Sequence, residues 1–146
     1  MKKNLFIIIV GCGRLGSQIS NTLSKKGHSV VIIDKNEDAF IHLSPGFSGF
    51  KVEGDGTQLR VLKDAKINRA DVFIASTHND NVNLMMSQIA CKIFKIPYVL
   101  ARIFDHHKED IFSESEIITI CPTSITSEIF IDTISKIVTE SKGKKK

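Results

Sequence analysis

A glycine pattern near the amino terminus constrains the fold of this chain more than any other feature. Residues 11–16 read Gly-Cys-Gly-Arg-Leu-Gly, directly after the apolar run Phe6–Val10 and before the four-residue spacing of Leu15, Ile19 and Leu23. An Ile- and Val-rich run without polar alternation is typical of a strand buried on both faces of a parallel sheet. G-x-G-x-x-G between such a strand and a helix is typical of a unit whose turn binds a pyrophosphate.

Strand-like and helix-like segments alternate along the whole chain. The predicted strands cover 6–10, 29–34, 50–53, 71–75, 98–102 and 116–120. The predicted helices cover 14–26, 36–43, a segment carrying Leu59, Leu62 and Ala65, then 80–95 and about 123–139. On or beside the inner face of the helix over 80–95 we expect Leu84, Met85, Gln88, Ile89 and Cys91. Six strands joined by helical crossovers predict an α/β fold, a Rossmann-like doubly wound parallel sheet with helices on both faces.

The composition fits one globular domain. The 146 residues are 42% hydrophobic and 25% charged, and the longest apolar run is far below the roughly 20 residues that cross a bilayer. The net charge of +4 comes from the lysines of residues 142–146, so we do not expect a nucleic-acid-binding domain or direct membrane insertion. We predict a domain over 1–139 and a disordered basic tail over 140–146.

Four roles follow from the glycine pattern and the acid at the end of the second strand. Gly11 allows the tight turn, Gly13 leaves room for a pyrophosphate, and Gly16 lets the helix pack close to the sheet. Asp34 ends the second strand, where an acid accepts both ribose hydroxyls and repels a 2′-phosphate, which favours NAD or a plain adenine nucleotide over NADP.

The turn Gly54-Asp55-Gly56-Thr57 follows the third strand, at the same sheet edge. Asp55 could accept a hydrogen bond from an adenine amino group, and Thr57 could cap the next helix. A plain turn is the alternative interpretation of these residues.

The remaining candidate metal-binding, redox and catalytic residues have weaker support in the sequence. The three cysteines are far apart and form no Cys-x-x-Cys pair, which indicates neither a disulfide framework nor a zinc site and fits a reducing compartment. Cys12 is interpreted as a small packing residue. Asp105-His106-His107 with Glu109 and Asp110 looks metal-like, but a solvated helix start is the preferred interpretation and we predict no metal site. His78 lies near the crevice mouth without a catalytic partner in the local sequence.

Six motifs, taken in their order along the chain, resemble the TrkA-N domain family, also called RCK-N or KTN. They are the glycine motif containing Arg14, Val-Val-Ile-Ile-Asp34, the turn at 53–57, Arg69-Ala70-Asp71, the segment 76–84, and Tyr98 to Arg102. The resemblance covers about residues 4–138. It implies a cytoplasmic nucleotide-binding regulatory module, peripheral to the inner face of the plasma membrane, that forms a homodimer or higher oligomer on a potassium transporter or channel subunit.

The resemblance also implies the binding residues. Gly11, Gly13, Arg14 and Gly16 would hold the phosphates, Asp34 the ribose and Asp55 the adenine edge. Ser76 and Thr77 would line the pocket and Arg102 would face the phosphates; Leu15, Lys35, Gly56 and Thr57 complete the expected set. The implied ligand is NAD or NADH, or alternatively ATP, ADP or AMP.

Two functions follow from these features. The first is a non-catalytic regulatory subunit of a membrane potassium uptake system. The alternative is a small NAD-dependent oxidoreductase, which is disfavoured because the sequence has one tyrosine, Tyr98, and no length for a substrate domain.

Two departures from the family pattern stand out. Thr123, and not an acid, follows Pro122, and no second ligand-binding domain follows, so the chain would act alone or pair with another polypeptide. The last helix carries an apolar band from Ile125 to Val138 that is broader than one packing stripe. We interpret it as a partner surface; coverage by the same domain is the alternative.

Overall fold

One parallel sheet organises the chain in the computed structural model, which describes residues 4–144. Its strands are β1 Phe6–Val10, β2 Ser29–Asp34, β3 Phe50–Glu53, β4 Val72–Ala75, β5 Tyr98–Arg102 and β6 Ile117–Ile120. They lie in the order β3-β2-β1-β4-β5-β6, and every neighbouring pair is parallel. This is the strand order of the Rossmann fold, so the predicted fold class is confirmed.

Helices connect the strands. The α-helices are α1 Arg14–Lys25, α2 Leu59–Asp64, α3 Asp80–Gln88 and α4 Pro122–Lys144, and a π-helical turn, Ile89–Ile93, continues α3. Short 3₁₀ helices cover Glu37–His42, Ile67–Arg69, His106–Lys108 and Asp110–Phe112. The predicted helix over 36–43 is therefore a 3₁₀ helix, and the predicted helix over 80–95 changes its hydrogen bonding before it ends.

The sheet has an apolar layer on each face because successive side chains of a strand point to opposite sides. Ile8 and Val10 of β1 pack in the layer that α2 and α3 cover. Ile7 and Ile9 pack in the layer that α1 covers, together with Phe40 of the 3₁₀ helix. Burial on both faces explains why β1 is apolar at every position, and it confirms helices on both faces.

The predicted inner face of α3 was partly wrong. Met85 and Gln88 are exposed, whereas Asn83, Met86 and Ser87 are buried. The sequence prediction of the inner face considered mainly the apolar residues of the helix. Asn83 faces the interior because its side chain forms hydrogen bonds with Thr77 in the loop after β4.

The apolar layer that α1 covers does not extend over β5 and β6. Tyr98, Ile118 and Ile120 point to the same face as Ile7 and Ile9, as the strand register shows. Their exposed fractions are 59%, 49% and 39%. We call the surface formed by Tyr98, Ile118 and Ile120 the open sheet face.

α4 runs from Pro122 to Lys144, beyond the predicted domain end at 139. Residues 140–144, predicted as part of a disordered tail, are helical, and residues 145 and 146 lie outside the described residues. Every residue from 125 to 144 is exposed, so coverage of the apolar band by the same domain was the wrong alternative. Its apolar members are Ile125, Ile129, Phe130, Ile131, Ile134, Ile137 and Val138.

The helices within residues 4–144 differ in length and in apolar character. None combines the length and the apolar character needed to cross a bilayer.

The contact between α1 and the turn after β1 leaves no room for a side chain at Gly16. A Cβ there would lie 1.7 Å from the carbonyl oxygen of Gly11. We expect Gly16→Ala to lower the free energy of unfolding by about 3 kcal/mol, because overpacking against backbone outweighs the gain of about 1 kcal/mol from alanine in a helix. Urea unfolding measures the difference.

Gly46→Ala is the matched control, because a Cβ at Gly46 would have no neighbour within 4 Å. It should change the free energy of unfolding by less than about 0.5 kcal/mol. Equal stability of the two variants would contradict the close contact at Gly16.

Candidate functional site

A cavity of about 670 Å³ opens at the carboxyl edge of the sheet, beside the junction of β1 and β4. Strand order reverses at this junction, and open α/β sheets bind their ligands at such a point. Eight of the expected binding residues line the cavity: Gly11, Gly13, Asp34, Lys35, Asp55, Gly56, Ser76 and Thr77. Sequence spacing therefore brings four separate strand ends to one cavity.

The turn after β1 and the amino end of α1 form one side of the cavity. Gly11 has a φ of +105°, and a Cβ there would lie 2.8 Å from the carbonyl oxygen of Ser76. Gly13 is the N-cap of α1 and has no side chain to bond the first helical N–H groups. No acidic residue occupies the first turn of α1. The N–H groups of this turn and the helix dipole are thus available to an anion.

Asp34 ties the end of β2 to this turn. Its Oδ2 accepts a hydrogen bond from the Cys12 N–H at 2.8 Å, and its Oδ1 accepts one from the Asn36 N–H at 2.9 Å. A carboxylate has about four acceptor positions, so two remain for a ligand's hydroxyl groups. The half-buried carboxylate is positioned by backbone on both sides.

Asp55 lies across the cavity from the glycine turn. Its Oδ1 accepts hydrogen bonds from the N–H and the hydroxyl of Thr57, at 2.9 and 2.7 Å. Its Oδ2 lies 3.7 Å from Lys35 Nζ. The hydrogen bonds from Thr57, with a smaller contribution from Lys35, hold the pKa of Asp55 below its usual range. Asp55 is therefore a charged acceptor at neutral pH.

Thr57 does not cap α2, contrary to the sequence prediction. Gln58 is the N-cap and makes no side-chain capping bond, because the Thr57 hydroxyl is turned back to Asp55. Thr57 thus positions the carboxylate of Asp55 from outside the cavity lining.

The loop after β4 is locked by a buried amide. Asn83, which is fully buried in α3, accepts hydrogen bonds from the N–H and hydroxyl of Thr77. Its Nδ2 donates to the carbonyl oxygens of Thr77 and Arg102, both at 3.0 Å. The hydroxyl of Ser76 donates to the carbonyl groups of Val10 and Gly11. Ser76 and Thr77 thus shape the cavity through bonds inside the protein.

Arg102 does not face the cavity, contrary to expectation. Its Nη2 donates to the Thr77 carbonyl oxygen at 2.8 Å, and its guanidinium carbon lies 4.6 Å from the centre of the Phe104 ring. Burial lowers the pKa of Arg102, opposed by Asp80. The spacing that places Arg102 at a strand end does not determine where a long side chain points.

Arg14, Leu15 and Gly16 also lie outside the cavity lining. The Arg14 side chain is exposed, Leu15 is half-buried, and Gly16 packs on Gly11. Any contact of these three residues with an anion would use their backbone N–H groups at the start of α1.

Two other candidates have structural uses. Burial and the charge of Asp34 raise the pKa of Cys12 to about 11, so the thiol is protonated at neutral pH, as a packing residue would be. Asp105 caps the 3₁₀ helix His106–Lys108 through the His107 N–H, which is the helix start that the sequence predicts. Asp105, His106 and His107 are exposed, with their ligating atoms within 4.8 Å of one another.

Several cavity residues had no predicted role. Asp38 and His42 line the side next to Asp34, and His78 lines the side next to Gly13. Asn83 supports the wall from behind. A buried position for Asn83 could have been inferred from its helical spacing with Ser87 and Ala90, but a polar residue at that position was excluded from the predicted core.

Comparison with known proteins identifies the family. A family model described as the TrkA-N domain matches residues 7–122. The Trk system potassium uptake protein TrkA of Streptomyces coelicolor is 32% identical over 124 residues, which are 85% of this chain and 56% of that protein. A TrkA homolog of Pyrococcus abyssi is 36% identical over 110 residues, covering 75% of this chain and 48% of that protein. The chain spans about half the length of these relatives.

Solved structures share the fold. The TrkA-N domain of the inner membrane protein ybaL from Escherichia coli superposes with a TM-score of 0.78 at 15% identity, over 91% of this chain and 98% of that one. The GsuK channel bound to NAD superposes with a TM-score of 0.77 at 23% identity, over 92% of this chain and 24% of that one. GsuK bound to ADP superposes with a TM-score of 0.72 at 24% identity, over 88% of this chain and 33% of that one.

The hydrogen bonds of the buried Asn83 amide predict that replacing its Nδ2 alone lowers the free energy of unfolding. Asn83→Asp keeps the shape but replaces the Nδ2 donor by an oxygen. The Arg102 carbonyl group then loses its bond from Asn83, the Thr77 carbonyl group keeps only its bond from Arg102 Nη2, and the new oxygen itself faces two carbonyl oxygens. We expect the free energy of unfolding to fall by about 2–4 kcal/mol, because each unsatisfied buried group costs about 1–3 kcal/mol. Denaturant unfolding at pH 7 measures it.

Asn81→Asp is the control, in the same helix. Asn81 is exposed and its Oδ1 accepts a bond from Lys108 Nζ, which a carboxylate keeps. The control should stay within about 0.5 kcal/mol of the parent protein. A similar small effect at Asn83 would show that the network does not hold the loop.

Proposed function

This chain belongs to the TrkA-N domain family, and from that premise we propose that it is a non-catalytic, nucleotide-binding regulatory subunit of a membrane potassium uptake system. One observation carries the proposal: the glycine turn, Asp34 and Asp55 line a single cavity at the switch point of the sheet. The curated relatives are named potassium uptake proteins, and the chain matches about half of each.

The ligand of this cavity is an adenine nucleotide. NAD or NADH is our first candidate, with ATP, ADP and AMP as alternatives; the GsuK structures bound to NAD and to ADP support both classes. The start of α1 accepts phosphate, and Asp34 accepts the ribose hydroxyls. Asp34 and Asp55 together disfavour a 2′-phosphate through charge repulsion, so NADPH should bind more weakly than NADH.

A binding role, and not turnover, fits the placement of the reactive groups. Tyr98, the single tyrosine of the sequence, begins β5 and therefore lies at the sheet edge opposite the cavity. The Cys12 thiol is buried and protonated at neutral pH. Tyr98 is therefore too far from the cavity to act there as a general acid, and Cys12 is not a thiolate that could act as a nucleophile.

Regulation requires two conformations with different nucleotide affinities. Two pairs of nucleotides could act as opposing signals: NADH and NAD, or ATP and ADP. The members of each pair share the adenosine part and differ in the nicotinamide ring or in the number of phosphates. The difference would then be passed to the potassium transporter or channel subunit on the cytoplasmic face of the membrane.

Exposed apolar surface supports assembly into a homodimer or higher oligomer. α4 presents its apolar band without a covering element in residues 4–144, and Phe130, Ile131 and Ile134 are each more than half exposed. The open sheet face adds a second apolar area. Contiguous apolar patches of this kind mark protein interfaces in soluble proteins.

The nucleotide proposal is tested by thermal unfolding with NAD, NADH, NADPH, ATP, ADP and AMP at millimolar concentration. A ligand at about 100 times its dissociation constant stabilises the fold by about 2.7 kcal/mol, a shift of several degrees in Tm. Asp34→Ala should weaken the binding of the stabilising nucleotide by about 1–3 kcal/mol, because it removes the acceptor of its hydroxyl groups.

Asp64→Ala, at the exposed end of α2, is the matched control and should bind like the parent protein. The Tm of each unliganded variant separates folding from binding. Unchanged affinity in Asp34→Ala would refute this assignment of the ribose site, and steady substrate-dependent NADH formation by the pure protein would refute the non-catalytic role.

The assembly proposal is tested by a charge on α4. We expect the parent protein to sediment at twice the mass of the 16.2-kDa chain or more. Ile134→Asp should shift it toward the monomer, because a buried unpaired carboxylate is costly, while the exposed position in one chain leaves the fold intact. Sedimentation velocity measures the mass.

Ser135→Asp adds the same charge on the polar side of α4 and should leave the mass unchanged, since its hydroxyl only bonds the Ile131 carbonyl. A monomeric parent protein, or equal effects of both variants, would contradict the assembly surface.

A further inference from the structure

The phosphate side of the cavity lacks the arginine that the sequence places there. The Arg102 guanidinium donates through Nη2 to the Thr77 carbonyl oxygen and lies over the Phe104 ring, while its Nε is buried without a hydrogen-bond partner among residues 4–144. It supports the loop after β4 from behind and does not line the cavity. Among the residues that line the cavity, a side-chain donor at this position is therefore a residue other than Arg102.

His78 lies where that donor is needed. Its Nε2 is 3.6 Å from the position that a Cβ of Gly13 would occupy, and Gly13 is the N-cap of α1. The imidazole thus lies beside a cavity residue whose missing side chain leaves space for a phosphate. A phosphate placed at the start of α1 through this space would lie close to the imidazole.

The ring of His78 is also held in place. It stacks on the Phe104 ring with a centroid distance of 6.4 Å and an angle of 21° between the planes. Arg102 lies over the same Phe104 ring, and the Phe104 N–H donates to Asp80 at the start of α3. Phe104 therefore connects His78 to groups that are themselves fixed.

We propose that His78 binds the phosphate groups of the nucleotide and so makes the cavity select nucleotides by their phosphates. This inference rests on the proposed function. Imidazole has an N–H donor in its neutral form and two in its cationic form, and hydrogen bonds to charged acceptors are the stronger ones. Adenosine, which has no phosphate, would gain nothing from His78.

The test compares ADP with adenosine by isothermal titration calorimetry. His78→Ala should weaken ADP binding by about 10- to 150-fold, the range expected for loss of a hydrogen bond to a charged group. Adenosine binding should stay within about twofold of the parent protein, because its contacts do not involve His78. His78→Gln keeps an N–H donor and should recover part of the ADP affinity.

His42→Ala is the matched control, since His42 lines the same cavity beside Asp38 and Ala39. It should change the affinities for ADP and adenosine by the same factor. Parent-level ADP binding by His78→Ala, or equal losses for ADP and adenosine, would overturn the role of His78 while leaving the proposed function intact. A parent protein that binds neither ADP nor NAD would overturn the proposed function and this inference together.

Discussion

The close approach of three backbone segments at the switch point is the constraint on which the rest of the structure depends. Gly16 of α1 lies against the carbonyl group of Gly11, and Gly11 in turn lies against Ser76 at the end of β4. Side chains at these positions would push α1 away from the sheet and separate β1 from β4. The same absence of side chains opens the cavity, so packing and ligand access are determined by the same residues.

The cavity wall is then held by bonds to backbone, which makes it rigid before any ligand arrives. Asp34 fixes the glycine turn to the end of β2, and Thr57 fixes the carboxylate of Asp55. Asn83 fixes the loop after β4 through Thr77. Preformed acceptors lower the ordering cost of binding. A nucleotide would therefore meet both of its expected carboxylate partners already in position.

Sequence reasoning succeeds here where a residue's role depends on its backbone position. Strand order, the glycine turn and the placement of Asp34 and Asp55 at one edge all follow from period and topology. It fails for Arg102, Thr57 and Asn83, because a long or polar side chain chooses among partners from distant segments. Phe104, whose ring centre lies 4.6 Å from the guanidinium carbon of Arg102, is such a partner. The exposure of the apolar band of α4 agrees with the interpretation preferred from the sequence, but the band does not identify the surface that covers it.

The position of β5 gives the proposed regulation a physical basis. Arg102 ends this strand, contacts the Thr77 carbonyl group beside the cavity, and pairs in register with Ile120 of β6. Ile120 belongs to the open sheet face and lies two residues before α4 begins. A ligand that changes the loop after β4 thus acts one contact away from the strands that carry the exposed apolar surfaces. Since a ligand shifts an equilibrium only through its differential contacts, a nucleotide would have to contact Thr77 differently in the two states for its binding to reach these strands.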